Sequence, residues 1–353
     1  MGTPAAASSA FAVSGPFTAI NVYLTEGGAR GTISTSSSLH ASAQNRYRSH
    51  LVRTTAYGLI PAEFRKKARR LPTAPKPTTA NTFIRRGSLK SVTRRRTVLD
   101  FAKGRGPYVW ITAYDYPTAR LVDEAGVDGI LVGDSLGMVV LGLPNTLGVT
   151  TADMVRHTEA VARTRPRALV VADMPFMSYE PGPETALRNA SRLVRAGADA
   201  VKLEGGAEYA HVVEKLVKAG IPVMGHIGLT PQRVLTLGGF RMVGRSEEQK
   251  KKILEDAKAL RDARVFAIVL EFIPASLAKE VTESVDVATI CIGSGPHCDG
   301  QILVLHDVIG LSERAPSFAK RYADAATLIK DAVTKYAEEV RKGLFPTKEH
   351  YRD

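Results

Sequence analysis

One rhythm repeats along the chain from residue 108 onward and limits what it can fold into: a short apolar run, an acidic or polar residue at its end, a loop, then an amphipathic stretch. The runs fall at 109–113, 129–132, 168–172, 200–203, 221–225, 265–270 and 287–292, with an eighth at 302–305. Runs this short and this uniformly apolar suit strands buried on both faces, the environment of a parallel sheet. The stretches between them have helical periodicity. Over 184–196, Leu187, Ala190, Leu193 and Val194 share one side, and over 249–262, Ile253, Leu254, Ala257 and Leu260 do the same. Eight strands alternating with helices predict an α/β protein, a closed (β/α)8 barrel in preference to an open doubly wound sheet. No G-x-G-x-x-G follows the first run, which weakens a dinucleotide-binding alternative.

The net charge of +13 does not belong to this repeating part. Residues 1–100 hold 16 of the 48 Lys/Arg and 3 of the 35 acids, so the remainder carries 32 of each sign and is neutral. Residues 1–95 are rich in Ser, Thr, Ala and Arg and lack sustained periodicity, so a disordered basic extension is expected ahead of a catalytic domain at 96–353. That composition fits an organelle-targeting segment, for the mitochondrion rather than the plastid. The competing reading is an arm that binds nucleic acid or anionic lipid through Arg65, Lys66, Lys67, Arg69, Arg70 and Arg94 to Arg96. Aromatic residues suited to base stacking are sparse there. No apolar run reaches 18 residues, so no membrane span is expected. Cys291 and Cys298 are too few for a disulfide framework and match no zinc spacing, and a reducing compartment is the simpler reading.

Four runs end in a carboxylate: Asp134, Asp173, Glu204 and Glu271. The C-terminal ends of the strands of a parallel barrel open on one face, so these acids should converge there. His226 ends a fifth run, and Lys202 shares strand parity with Glu204. Carboxylates crowded at a partly desolvated rim repel one another, and burying each unpaired costs several kcal/mol. Lys202 neutralises one of them. A divalent cation is the natural complement for the rest, and all-oxygen ligands select a hard ion such as Mg²⁺. A lone Asp at a strand end is as readily a helix cap, as Ser135 could also be. His226 fits a hydrogen-bonded strand-end histidine more readily than a catalyst, and Lys202 could be only a salt-bridge partner of Glu204 or Asp173. The pair Gly205 and Gly206 reads as turn chemistry, and the segment 293–295 as a turn or an anion-binding nest.

The segments ITAYD (111–115), VGDSLG (132–137), ADMPFM (172–177), VKLEGG (201–206), GHIGLTPQ (225–232) and GSGPHCDGQ (293–301) resemble those of the ketopantoate hydroxymethyltransferase family. The likeness spans about 92–312 and leaves the extension outside. It implies a (β/α)8 barrel of the phosphoenolpyruvate/pyruvate type and the first committed step of pantothenate, hence coenzyme A, synthesis. In that step a hydroxymethyl group passes from 5,10-methylenetetrahydrofolate, the co-substrate, to 3-methyl-2-oxobutanoate through a Mg²⁺-chelated enolate. It further implies Asp134, Asp173 and Glu204 as metal residues, the last directly or through water. Asp134, Ser135, Asp173 and Lys202 would surround the keto acid, with Glu271 as proton acceptor and His226 in support. A homo-oligomer, a decamer by analogy, is implied, with no nucleic-acid or membrane partner. The chain departs from the family pattern at Arg264 and Cys291, where glycine is usual, and at Gly148, where proline is common. Within the enzyme class, the alternative is a related Mg²⁺ barrel cleaving C–C or C–P bonds of another 2-oxo acid. Outside it, the alternative is a binding protein that uses the basic arm.

Overall fold

The structure, a computed structural model, describes residues 94–353. All but the last two residues of the expected extension lie outside that span. The eight strands β1 (Tyr108–Thr112), β2 (Gly129–Val132), β3 (Leu169–Asp173), β4 (Ala200–Glu204), β5 (Val223–Gly228), β6 (Ala267–Glu271), β7 (Ala288–Ile292) and β8 (Gly300–Leu303) pair in sequence order, all parallel, into a closed barrel. The expected strands are all present. The largest corrections are to β8, which begins two residues earlier than the apolar run suggested, and to β5, which runs three residues past it.

The helices are α1 (Tyr116–Glu124), α2 (Leu136–Val139), α3 (Thr151–Ala162), α4 (Pro183–Arg195), α5 (Ala210–Lys218), α6 (Val234–Leu237), α7 (Glu247–Asp262), α8 (Ala275–Ser284), α9 (Leu305–Ile309) and α10 (Ala325–Arg341). Their starts follow from local chemistry. Asp115 accepts the Thr118 N–H at the head of α1, Thr150 and Asp153 form a reciprocal box before α3, and Ser246 accepts the Gln249 N–H before α7. No helix among the described residues is long and apolar enough to cross a membrane.

Strand parity sorts the side chains into two apolar layers. One set, including Ile130, Val170, Leu203 and Ile268, points outward against the helices. The other points inward and fills the N-terminal half of the barrel: Trp110, Leu131, Leu169, Val171, Met224 and Val269 meet there with Phe101 and Tyr108. The Phe101 ring lies 4.9 Å from those of Tyr108 and Trp110, closing the floor. Gly129 faces this floor, and a Cβ there would come within 2.3 Å of the Trp110 indole, so no larger residue fits without displacing it. Because that end is packed solid, the inward positions one pleat further along each strand are the ones left for polar groups.

The bottom rim is laced by ion pairs: Arg94 with Asp100, Arg95 with Asp199 at 2.9 Å, and Arg96 with Asp128. These three arginines, read from sequence as part of a basic arm, are thus paired with acids of the barrel. Between β7 and β8 the chain makes no helix. Residues 293–299 run down the outside of the sheet, and Cys298 is bonded to Cys291 on the outward face of β7. The reading from cysteine count and spacing is corrected here: two cysteines cannot build a framework, but one bridge can pin a loop where a helix is missing. Arg264 adopts φ +66°, a left-handed backbone that favours glycine, which explains why glycine suits that position better. Its side chain is exposed.

Candidate active site

Asp173, Lys202, Glu204, His226 and Glu271 occupy the inward positions at the C-terminal ends of β3 to β6, and strand register places them side by side: Asp173 pairs with Lys202, Glu204 with His226, and Glu271 with Gly228. Asp134 and Ser135 follow β2 at the same rim. They surround the base of a cavity of about 910 Å³ whose mouth is lined by Phe240, Arg314 and Phe318. The structure therefore brings Asp134, Ser135, Asp173, Lys202, Glu204, His226 and Glu271 together around one cavity.

The polar groups form one buried chain. Lys202 Nζ lies 3.1 Å from Asp173 Oδ1 and 3.2 Å from His226 Nδ1. An ammonium has donors only, so His226 Nδ1 must accept, which leaves the ring proton on Nε2. That nitrogen sits 3.1 Å from Glu271 Oε2, close but not aligned as a hydrogen bond. Burial and the neighbouring Lys202 charge hold His226 well below the usual histidine range, so it is neutral. Burial opposes the charge on Lys202, but Asp173, Glu204 and Asp134 outweigh it and raise its pKa.

The carboxylates differ in their surroundings. Asp134 is raised to about 7 by burial and by the nearby charge of Asp173. Glu204 is held well above the usual range by burial and then by Asp134. Glu271 is raised to about 7 by burial alone, against the pull of Lys202. Its side chain is 15% exposed, whereas those of Asp173 and Glu204 are 3% and 1% exposed. Glu271 is accordingly the most exposed of these four acids, all of which line the cavity.

Whether these acids could hold a cation is tested by their free oxygens. Glu204 Oε1 is buried without a hydrogen bond, Asp173 Oδ1 is met by the Lys202 ammonium at 3.1 Å, and Asp134 carries a carboxyl disfavoured as an anion, which suits a site that could take a further positive ion. Among the described residues, however, no group of three or more His, Cys, Asp and Glu side chains closes into a metal cage. Glu204 is set apart from the other two acids by its own partners. Glu204 Oε2 accepts the Gln232 backbone N–H at 3.0 Å and its Oε1 turns toward His226 at 3.6 Å. Asp134 and Asp173 remain as the pair, joined through the Asp134 N–H to Asp173 Oδ2 at 2.9 Å. One or two carboxylates are what Mg²⁺ usually takes from a protein.

Two further residues, Gln232 and Tyr114, complete the site. Gln232 is buried, donates from Nε2 to Asp134 Oδ2 at 2.8 Å and to the Met174 carbonyl at 2.9 Å, and accepts the Tyr179 hydroxyl at 2.9 Å. It lies on a 3-10 turn, Pro231–Arg233, beyond the end of β5, where strand-end reasoning does not reach; its place in GHIGLTPQ was the available signal. Tyr114 bonds the Ser135 hydroxyl at 2.8 Å. Ser135 precedes α2 but its hydroxyl makes no cap, so the capping alternative does not hold. In the segment 293–295, buried Ser294 donates its hydroxyl to the Leu270 carbonyl at 2.9 Å, tying this loop to β6.

Comparison with known proteins converges on one family. The sequence profile of the family described as ketopantoate hydroxymethyltransferase matches residues 93–348. A 3-methyl-2-oxobutanoate hydroxymethyltransferase of Pyrobaculum islandicum is 85% identical over 260 residues, 74% of this chain and 100% of the relative. That of Caldivirga maquilingensis is 67% identical over 263 residues, 74% of this chain and 99% of the relative. Among solved structures, a 2,3-dimethylmalate lyase of the PEP mutase/isocitrate lyase superfamily aligns at 19% identity and a TM-score of 0.46, over 70% of this chain and 87% of the other.

Proposed function

This chain belongs to the ketopantoate hydroxymethyltransferase family, and from that premise we propose that it moves a hydroxymethyl group from 5,10-methylenetetrahydrofolate to 3-methyl-2-oxobutanoate, giving 2-dehydropantoate. The observation that carries the mechanism is Glu271: a carboxylate facing the cavity, raised to about 7, beside a neutral histidine. A base with a pKa near neutrality is matched to removing the proton at C3 of the keto acid. His226, with its proton on Nε2, faces Glu271 at 3.1 Å. Lys202, kept charged by three carboxylates, supplies fixed positive potential where negative charge develops on the substrate.

Asp134 and Asp173 would hold Mg²⁺, with Glu204 behind them and in reach through water. Bound there, the ion would act as a Lewis acid toward the carboxylate and keto oxygens of a 2-oxo acid. Ser135, fixed by Tyr114, lines the same wall and offers a hydroxyl to the substrate. The family match and the relatives' names favour this transfer over cleavage of a C–C or C–P bond. The deciding experiment incubates the protein with 3-methyl-2-oxobutanoate and Mg²⁺, with and without methylenetetrahydrofolate. A new hydroxymethylated product only when the folate is present supports the reading, and cleavage products in its absence would reject it.

For residues 1–95 we keep organelle targeting as the reading, on composition alone. Fusing them to a fluorescent protein tests it, and diffuse fluorescence in eukaryotic cells would remove it.

A further inference from the structure

Asp134, Asp173, Glu204 and Glu271 all have work in the reaction proposed above, but another buried acid on the cavity wall, Asp307, has none. It stands on α9, just beyond β8, and is 6% exposed. In a closed barrel paired in sequence order, β8 lies diametrically across from β4, so Asp307 borders the cavity on the side opposite Lys202 and Glu204. Its backbone is fully used: the N–H bonds the Val304 carbonyl at 3.1 Å, and its own carbonyl accepts the Gly310 N–H at 3.3 Å. Its carboxylate is not. Among the described residues no Lys or Arg pairs with it. The Ser312 hydroxyl and the His306 ring favour its charge from nearby, yet Ser312 Oγ and His306 Nδ1 are themselves buried without a hydrogen bond. Burial outweighs both and holds the Asp307 carboxyl above the usual range. A hydroxyl has one proton to give, whereas a carboxylate has two oxygens to satisfy. Buried polar groups are paired as a rule, and the cavity is the side from which donors can still reach this one.

The cavity is also larger than a small keto acid needs. Its volume of about 910 Å³ lies near the top of the roughly 300–1,000 Å³ of pockets that hold drug-sized ligands. Beyond the polar base, Met138, Val139, Phe240, Phe272, Leu311 and Phe318 give it an apolar wall. Phe240 is 46% exposed, and the Phe272 and Phe318 rings lie 5.3 Å apart. Phe272 directly follows Glu271 in a left-handed backbone, φ +46°, fixed by its N–H to the Ile292 carbonyl at 2.9 Å. An aromatic surface thus begins one residue from the base. Large apolar side chains open to a cavity suit a flat ring system that covers them.

We propose that Asp307 binds the pterin of the folate co-substrate, its two oxygens accepting the parallel N3–H and 2-amino donors while the ring system lies against the apolar wall. This rests on the transfer from methylenetetrahydrofolate proposed above. A planar fork of two donors is what a carboxylate pairs with best. The two substrates then use opposite walls, the keto acid the polar arc from β2 to β6 and the pterin the β8 side, with the one-carbon unit carried between them.

The test uses the full chain with Mg²⁺ and two ligands, tetrahydrofolate and its 2-desamino analogue, which keeps the ring shape and loses one donor. The parent should bind tetrahydrofolate about 10- to 100-fold more tightly, the worth of a hydrogen bond to a charged group. Asp307→Leu, which removes both acceptors, should bind the two ligands alike and raise KM for methylenetetrahydrofolate by a similar factor. Asp307→Asn, which keeps one acceptor, should fall between, and it decides the matter if the Leu variant does not fold. A parent that does not distinguish the ligands overturns the proposal, as does a folded variant with the parent's full preference. A rise in KM shared equally by 3-methyl-2-oxobutanoate would mark a general lesion and also overturns it. A parent that forms no folate-dependent product rejects the transfer and this proposal with it, whereas one that forms product without any ligand preference rejects the part of Asp307 alone.

Discussion

Gln232 donates its side-chain amide to Asp134 across 98 residues of sequence, at 2.8 Å, while its carbonyl end takes the Tyr179 hydroxyl. The amide is thereby fixed in one orientation, and Asp134 is fixed with it. Replacing Gln232 with Leu removes the donor and leaves Asp134 Oδ2 unpaired in a buried site. Partners of this kind are worth 10- to 100-fold in metal affinity, so Gln232→Leu should weaken Mg²⁺ binding by about that factor. Isothermal titration of the two proteins with Mg²⁺ checks it, and equal affinities would remove Gln232 from the site.

Asp134→Asn keeps the shape and removes the charge. A chelator should abolish turnover of the parent protein and added Mg²⁺ should restore it. The variant should need at least about tenfold more Mg²⁺ to recover, following from the hard-oxygen preference of the ion. Turnover that survives exhaustive chelation would contradict the metal assignment.

Glu271→Gln should retain the fold and Mg²⁺ affinity while slowing proton removal at C3 by roughly 10²- to 10⁴-fold, the usual contribution of a positioned base. Deuterium exchange into 3-methyl-2-oxobutanoate without folate, followed by NMR, isolates that step. Exchange at the parent rate would mean the base lies elsewhere.

The pH dependence carries a definite sign. Burial lifts Glu271 to about 7, so it is protonated below that pH and cannot accept a proton. The value of kcat/KM should therefore fall as pH drops through about 7, approaching tenfold per unit, and level off above it. Stability moves the other way. Between the usual carboxylate range and about 7 the folded protein binds more protons at Glu271 and Asp134 than the unfolded chain, so stability declines as pH rises through that window. Urea titrations at a series of pH values, without metal, measure it.

Lys202→Met tests the buried ion pair with Asp173. Removing one partner leaves a carboxylate uncompensated, at a cost of about 3–5 kcal/mol. Unfolding midpoints should fall accordingly, and Asp173→Asn in the same chain should recover part of the loss. A Lys202→Met protein as stable as its parent would show that the pair contributes nothing to the fold.

The barrel and most of its site were legible in the sequence because both rest on period-two alternation. Apolar runs ending in Asp173, Glu204 and Glu271 put the strands, their inward faces and the acids at one rim, and Lys202 followed from its parity with Glu204. What escaped depends on contacts between distant segments. Gln232 has the composition of a turn residue, and only the return of the chain after β5 places its amide against Asp134. The Cys291 to Cys298 bridge hinges on the absence of a helix after β7, which no periodicity announces. Arg264 stood out against the family pattern, but its left-handed backbone appears only in three dimensions. Glu204 was rightly placed at the rim, yet the strand pattern could not show that the Gln232 backbone would occupy one of its oxygens.

The floor built from Phe101, Tyr108 and Trp110 closes one end of the barrel, so among the described residues the cavity opens toward the other. Under the proposed reaction, a keto acid anchored at the base is expected to enter before the folate, and its product to leave after it. Traffic through one doorway imposes a compulsory sequence on arrivals and departures, which product-inhibition patterns would register without any further structural knowledge.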